Sequence, residues 1–425
     1  MSDYATVVSE LYDLQKFAIK LGLENIRALC AALQNPQERY PVIHVAGTNG
    51  KGSTSLYLAH ILQAHGLKTG LFTSPHLTDF RERIRVNGRL IPEQDVMDFW
   101  KQVKPQVLQR KATFFDTTTA MALWYFARQQ VDVTVMETGL GGRLDSTNIV
   151  PSRWAVITPV SFDHQKQLGH TLRDIAGEKA GIIKENAQVI SAPQQAGALE
   201  VLKARAGSQK ARWIYLSDAV RWQYTPGDGF HVEGPWGAVR GHLPQPGAMQ
   251  VENFSLACLV AYNFLREHGL AWNGVALEER LSAMRWPGRL ELVRRSPDIY
   301  FDVSHNAQGI ARTVETFFSL VGKRKAHLIL GLVNDKDMEA IVRLLVARFA
   351  SVTVTEPESG RRQDGRLLAD AFERQGQKAK LIKDSREAYE FVKKGIDQKD
   401  VLLVMGSHYL IGALKRTVDI YGLVK

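Results

Sequence analysis

Tyr40-Pro-Val-Ile-His-Val-Ala46 runs directly into Gly47-Thr-Asn-Gly-Lys-Gly-Ser53, and the reading of this stretch decides the fold. Its first half is short, apolar and rich in β-branched residues, which predicts a buried strand. Its second half is a glycine loop, and the residues from about Lys51 to His65 predict a helix. Strand, glycine loop and helix in that order form the setting of a phosphate-binding loop. Glycines let backbone N–H groups turn inward around phosphate oxygens. The helix N-terminus adds partial positive charge. Gly47, Thr48, Asn49, Gly50, Lys51, Gly52 and Ser53 are therefore the candidate ATP contacts. Lys51 is placed to bridge the β- and γ-phosphates, and the Ser53 hydroxyl to reach a magnesium ion. The spacing is unusual, because Gly52 rather than Ser or Thr follows Lys51. That argues against ordinary GTPases and motor ATPases.

Working outward, strand signals recur at 68–72, 131–136, 154–158 and 188–191. Helical patterns lie between them, including 118–129 and 172–179. Amphipathic helical sequence opens the chain, roughly over 4–33, ahead of the first strand. Strands alternating with helices predict a doubly wound, mostly parallel sheet covered on both faces. Residues 219–243 differ, with Gly and Pro punctuation and alternating aromatics that predict a small antiparallel β unit. After a helix over 249–268, the turn Trp286-Pro-Gly-Arg289 reads as a hinge. Beyond it, strands at 299–303, 327–330, 351–355, 379–382 and 401–405 predict a smaller, Rossmann-like α/β domain. The expected division is 1–287 and 288–425, with the active site in the cleft between the two.

The chain has 425 residues, 45% hydrophobic and 23% charged, ample for a full core and without a signature of disorder. Only Cys30 and Cys258 are present, which suggests free thiols in a reducing compartment and a cytoplasmic protein. The first ten residues lack a basic segment, and no apolar run reaches spanning length, so neither a signal peptide nor a membrane helix is expected. A formal charge of +10 suits polyanionic small molecules. The basic residues are scattered without a nucleic-acid motif, so no nucleic-acid partner is expected. Nothing reads as a large exposed apolar face, and a monomer is expected.

Further segments give the sequence a family. They are Thr73-Ser-Pro-His-Leu77, Met136-Glu-Thr-Gly-Leu-Gly-Gly-Arg-Leu-Asp-Ser-Thr-Asn148, Asp163-His164, Glu178-Lys-Ala-Gly-Ile182, Pro287-Gly-Arg289, Asp302-Val-Ser-His-Asn306 and Asp335-Lys-Asp337. In this order they resemble the Mur ligase superfamily, and within it the folylpolyglutamate synthase and dihydrofolate synthase family. The resemblance implies an ATP-dependent ligase that adds L-glutamate to a folate carboxylate through an acyl phosphate. It implies two magnesium ions, with Ser53, Ser74, Glu137, His164 and Lys179 on the metal side. It also implies that Lys179 is carbamylated to N6-carboxylysine. Lys51, Glu137, His164, Lys179 and Arg289 are the implied catalytic set. Asn253 is implied near the adenine or ribose, Arg289 at the phosphates, and Asp302, His305 and Asn306 on the ATP side.

For the folate the resemblance points to Ala18, Ile19 and Lys20, to Thr113, Phe114, Phe115 and Asp116, and to Leu144, Asp145 and Ser146. Phe114 or Phe115 is suited to stack on a flat ring. Lys20 stands where one bifunctional branch of the family has aspartate and other members have this lysine, Asp116 replaces the usual glutamate, and Val303 and Ser304 replace the usual Gly-Ala. Use of dihydropteroate is left open beside extension of folates. Arg81, Arg83 and Arg85 are further candidates for anionic substrates. Two rival readings are a superfamily ligase acting on a peptidoglycan precursor or polyamino acid, and a non-catalytic nucleotide-binding protein.

Overall fold

The strand that opens the phosphate loop lies inside an eight-stranded sheet. The structure, a computed structural model, describes residues 3–16, 22–227 and 229–417. It divides into two units, Met1–Leu243 with Met249–Met284, and Pro244–Ala248 with Arg285–Lys425.

The first unit holds β1 (Val42–Ala46), β2 (Thr69–Phe72), β3 (Ile84–Val86), β4 (Arg89–Leu90), β5 (Val133–Glu137), β6 (Trp154–Ile157), β7 (Gln188–Ser191) and β8 (Arg212–Tyr215). Their order is β4-β3-β2-β5-β1-β6-β7-β8. β1 pairs in parallel with β5 on one side and β6 on the other, and only the β2–β3–β4 edge is antiparallel. Every residue of β1 and β5 is buried, as a parallel sheet covered on both faces requires. The chain passes from β1 to β2 on one side and later reaches β6 on the other. Such a reversal opens a crevice at the carboxyl ends of the strands, beside β1. The helix Lys51–Ala64 is buried nearly all round. A second small sheet, β9 (Arg221–Thr225), β10 (Gly229–Gly234) and β11 (Gly237–Gly241), is antiparallel throughout.

The N-terminal segment is more finely divided than its sequence reading. Within the helical stretch 4–33 there are helices Tyr4–Asp13 and Glu24–Ala32, with a 3-10 turn at Leu14–Lys16 after the first. Gly22, at φ +147°, precedes the second helix with a backbone that no helix interior adopts. The helix expected at 118 starts at Phe114, because Thr113 and Asp116 form a capping box. Strands β3, β4 and β8 carried no clear period in so few residues.

The second unit holds β12 (Glu291–Arg294), β13 (Asp298–Asp302), β14 (Ala326–Leu330), β15 (Ser351–Val354), β16 (Ala379–Leu381) and β17 (Val401–Met405), in the order β12-β13-β17-β14-β15-β16. All pairs are parallel except the edge strand β12 on β13. At the amino ends of β14, β15 and β17, His327 bonds Ser351 Oγ at 2.7 Å and the Asp400 carboxylate at 3.0 Å. This buried pair locks three strand starts together. Among the described residues no helix is long and apolar enough to cross a membrane.

Candidate active site

The phosphate loop is built at the carboxyl end of β1 and pinned to the segment that follows β6. Thr48 and Asn49 donate their backbone N–H groups to Pro159 O at 2.9 and 3.2 Å. Thr48 Oγ1 donates to Ser161 O and accepts from Ser161 N, both at 3.0 Å. Those N–H groups are spent on the scaffold, so the anion-facing donors are the first-turn amides of Lys51, Gly52 and Ser53. Gly50 caps this helix at φ +85°. A Cβ there would lie 2.3 Å from Asn253 Oδ1, so only glycine fits. Lys51 Nζ rests on Thr48 O at 3.3 Å. Ser161 and Pro159 were not singled out from sequence; the only signal was their place just ahead of Asp163-His164.

Neighbouring strand ends bring up the other candidates. Glu137 ends β5 opposite Val45 of β1 and is 3% exposed. Its Oε2 accepts the Ser74 N–H at 3.0 Å, from the loop that follows β2. Ser53 is also buried. His164 sits at φ +50° beside Asp163, whose Oδ1 accepts its backbone N–H at 2.9 Å. Lys179, near the end of helix Leu172–Ala180, is only 3% exposed. Burial, and then the nearby Lys51 charge, lower its pKa to about 7 against the opposing pull of Asp163, Asp145 and Glu178. An amine with that pKa is about half uncharged near neutrality, whereas an ordinary lysine is almost wholly charged. Among the described residues no three His, Cys, Asp or Glu side chains gather as a metal cage. The donors here are one buried carboxylate, serine hydroxyls and the His164 ring, a mostly oxygen set that suits magnesium completed by water and phosphate.

The residues expected on the folate side include two hydrogen-bonded groups, one around Asp116 and one around Asp145. Asp116 Oδ2 accepts from Thr113 N and Oγ1 at 3.0 and 2.8 Å, and its Oδ1 accepts from Ser146 Oγ at 2.7 Å. Both carboxylate oxygens thus fix the helix start at Phe114 and tie it to the 145–146 turn. Asp145 is buried and accepts from Gly139 N, Leu140 N and Thr147 N at 2.9, 2.7 and 3.0 Å. Burial raises its pKa despite these bonds. Leu144 beside it is half-buried. Phe114 stacks on Tyr12 at 5.7 Å and lies under the Arg83 guanidinium at 5.1 Å. Phe115 rests its ring tip on Gly139, where a Cβ would come within 2.5 Å. Phe115 is half-buried, whereas Phe114 is buried. Ala18, Ile19 and Lys20 lie outside the described residues.

Asn253 belongs to the first unit, where its amide accepts from Thr54 Oγ1 at 3.5 Å and donates to Gln250 Oε1 at 3.4 Å. It supports the helix that carries the loop. In the second unit, Arg289 leads into a turn tied at three points. Val303 N donates to Gly288 O at 2.9 Å, Leu290 N to Asp302 Oδ2 at 2.9 Å, and Gly288 N to Glu291 Oε2 at 2.8 Å. The Arg289 Nε is buried and has no hydrogen-bond partner among the described residues, a donor suited to an anion. Asp302 is 3% exposed, and its Oδ1 accepts from Ser304 N at 2.7 Å and Thr313 Oγ1 at 3.3 Å. Its carboxylate is committed to the turn rather than turned outward. His305 donates from Nδ1 to Val303 O at 2.9 Å, and its ring lies 5.6 Å from that of His408. Asn306 caps the helix Ala307–Val321 through Gly309 N at 2.9 Å.

A glycine loop at the switch point of a parallel sheet, ringed by a serine, a glutamate and a buried lysine, followed by a second α/β unit, defines a Mur-type ligase. Residues 45–261 match the Mur ligase middle domain, and residues 288–408 match the Mur ligase glutamate ligase domain. The chain belongs to the folylpolyglutamate synthase/dihydrofolate synthase family of these ligases. It is 33% identical to the dihydrofolate synthase/folylpolyglutamate synthase of Bacillus subtilis, over 97% of this chain and 98% of that one. It is 31% identical to the folylpolyglutamate synthase of Lacticaseibacillus casei, over 98% and 99%. Among solved structures, Mycobacterium tuberculosis folylpolyglutamate synthase complexed with ADP and AMPPCP superposes with a TM-score of 0.89 at 32% identity, covering 97% of this chain and 98% of that one. The E. coli FolC complex with DHPP and ADP gives 0.86 at 27% identity, over 99% of both.

Proposed function

We propose that this chain couples ATP hydrolysis to the addition of L-glutamate onto the carboxylate of a folate, extending polyglutamate tails, and that dihydropteroate is a second acceptor to be tested. The observation that carries this reading is the convergence of the phosphate loop, Ser74–Glu137 and Lys179 on the strand ends beside β1. A carboxylate does not condense with an amine unaided. The acceptor carboxylate oxygen attacks the γ-phosphorus of ATP and ADP leaves. The amine of glutamate then attacks the acyl carbon, loses a proton and expels phosphate.

The first-turn amides and Lys51 hold the phosphates and neutralise charge as it moves toward ADP. The buried Arg289 Nε supplies a further donor for the transferring phosphoryl group. Magnesium, when bound, supplies charge neutralisation of the phosphate oxygens; Ser53, Ser74, Glu137 and His164 are the residues we assign to two ions. Lys179 completes the set as a carbamate, formed when its neutral amine adds carbon dioxide and releases a proton. Asp302 and Asn306 shape the second unit's loop, and His305 faces the ATP or amino-acid side. Phe115, Leu144, Asp145, Ser146 and the 18–20 segment form the folate side. Both free cysteines are buried, which suits the cytoplasm, and we read the enzyme as a monomer.

Phosphate release with ATP, magnesium and L-glutamate tests the assignment, with tetrahydrofolate, dihydropteroate or no acceptor in parallel. Release with tetrahydrofolate alone identifies a chain-extending synthase, and release with both acceptors a bifunctional enzyme. Rates equal to the blank with both would overturn the reading. Lys179→Met is expected to abolish turnover, and intact-protein mass spectrometry at raised bicarbonate checks the carbamate.

A further inference from the structure

The segment between Ser74 and Asp79 is held far more firmly than a surface loop needs to be. Glu82 alone accepts the backbone N–H groups of Leu77, Thr78 and Asp79 at 2.9, 3.0 and 2.9 Å. Ser74 N is fixed on Glu137 at 3.0 Å, and Thr73 N on Arg83 O at 3.0 Å. Between these anchors stands His76, whose ring is gripped at both nitrogens. Arg83 Nε donates to His76 Nδ1 at 2.8 Å. That nitrogen is therefore the acceptor, so the ring proton sits on Nε2 and is donated to the Tyr12 hydroxyl at 3.0 Å. Tyr12 and Arg83 also bracket Phe114, at 5.7 and 5.1 Å. Phe80 closes the cluster edge-on to both Tyr12 and Phe114.

Three segments meet at this ring: the first helix, the Ser74 loop and the start of the helix at Phe114. The Ser74 loop and the Phe114 helix start carry residues assigned above to metal and to folate. Packing alone needs no such directional chain, since Phe80 and Phe114 already fill the space. A line of two hydrogen bonds through one imidazole fixes the angle of the loop as well as its depth.

We propose that His76 is a positioning residue for the ligase reaction, setting the Ser74 loop against both the first helix and the Phe114 helix start. It touches no reacting atom; it acts through Ser74 and through the folate-side helix. The inference rests on the function proposed above. Two side-chain replacements divide its contacts. His76→Asn keeps an acceptor near the Nδ1 position for Arg83, and His76→Gln keeps a donor near the Nε2 position for Tyr12.

Calorimetry on the full chain measures the magnesium dependence of AMPPCP binding, and separately the binding of tetrahydrofolate, for wild type, His76→Ala, His76→Asn, His76→Gln and Tyr12→Phe. Losing the chain is expected to weaken both by about tenfold in His76→Ala. Magnesium-free nucleotide binding is expected to stay within about twofold, because the loop amides are untouched. His76→Asn is expected to recover most of the magnesium term and Tyr12→Phe to weaken chiefly the folate term. If His76→Ala lowers the melting temperature but leaves both dissociation constants unchanged, the residue is structural only and the proposal fails. If wild type binds tetrahydrofolate nowhere, the folate reading fails, while the magnesium measurement still decides the role of His76 toward Ser74.

Discussion

Asp302→Asn is the substitution whose outcome the structure fixes most closely. The carboxylate is buried and accepts three bonds, from Leu290 N on one oxygen and from Ser304 N and Thr313 Oγ1 on the other. An amide of the same shape has one acceptor oxygen. If that oxygen keeps Ser304 and Thr313, the new NH2 faces the Leu290 N–H, and a buried backbone donor is left unpaired. Such a loss costs about 1–3 kcal/mol, and the remaining bonds lose their charge assistance. Leu290 itself sits at φ +44°, a conformation a leucine adopts only under constraint. The constraint is the bond to Asp302, so the turn relaxes and carries Arg289 with it. A total of about 3 kcal/mol corresponds to a fall of roughly 10 °C in the melting of a unit of this size. Differential scanning calorimetry of the full chain reads the fall, and steady-state kinetics should show kcat dropping more than the ATP KM rises. Thr313→Val, which removes the longest of the three bonds to Asp302 together with the 2.8 Å bond between Thr313 and Ser304 hydroxyls but leaves the Leu290 and Ser304 N–H bonds, should give a smaller loss of the same kind. If Asp302→Asn melts within about 2 °C of wild type while the ATP KM rises, the carboxylate serves the nucleotide directly and the reasoning is wrong.

Asp400 gives a pH test. Burial opposes its ionisation, but the His327 hydrogen bond, the Asp397 N–H and nearby positive charge outweigh burial and lower its pKa below the ordinary 3.8. A depressed folded pKa means stability that is present above the unfolded value and lost as pH falls through the folded one. Asp400→Asn should therefore be less stable than wild type at neutral pH, with the gap closing below about pH 4; urea midpoints across pH check this, and a gap independent of pH refutes it. Gly139→Ala drives a methyl into the Phe115 ring at 2.5 Å, an overpacking of about 1–3 kcal/mol. The folate KM should rise with the ATP KM unchanged, and an unchanged folate KM would place Phe115 away from the substrate. Ser146→Ala strips the donor from buried Asp116 Oδ1 and should lower stability by about 1–3 kcal/mol, read as a shift in the urea midpoint.

Local pattern alone determined the alternation of strand and helix, the glycine loop after β1, and the family through its ordered motifs. Those features depend on neighbours in the chain: a buried run, a turn that only glycine makes, a lysine set against a helix start. Gly47 to Ser53 could be singled out for that reason, and Glu137 by its place at a strand end, whereas His164 and Lys179 were reached only through the family motifs. The break in the first helical stretch was hidden, because residues 4–33 are amphipathic on both sides of Gly22 and helical propensity does not report where packing stops a helix. What each side chain does was decided by residues distant in sequence. Lys179 looks like any helix-end cation until burial and Lys51 bring its pKa to about 7. The resemblance implies Asn253 and Asp302 beside the nucleotide, and the fold gives them partners no motif shows, Thr54 for one and Leu290 and Ser304 for the other. Tyr12, His76 and Arg83 form a chain only because the first helix and the Ser74 loop meet over Phe114. Hydrogen-bond partners separated by dozens of residues are a property of the folded backbone, and no periodicity in the sequence encodes them.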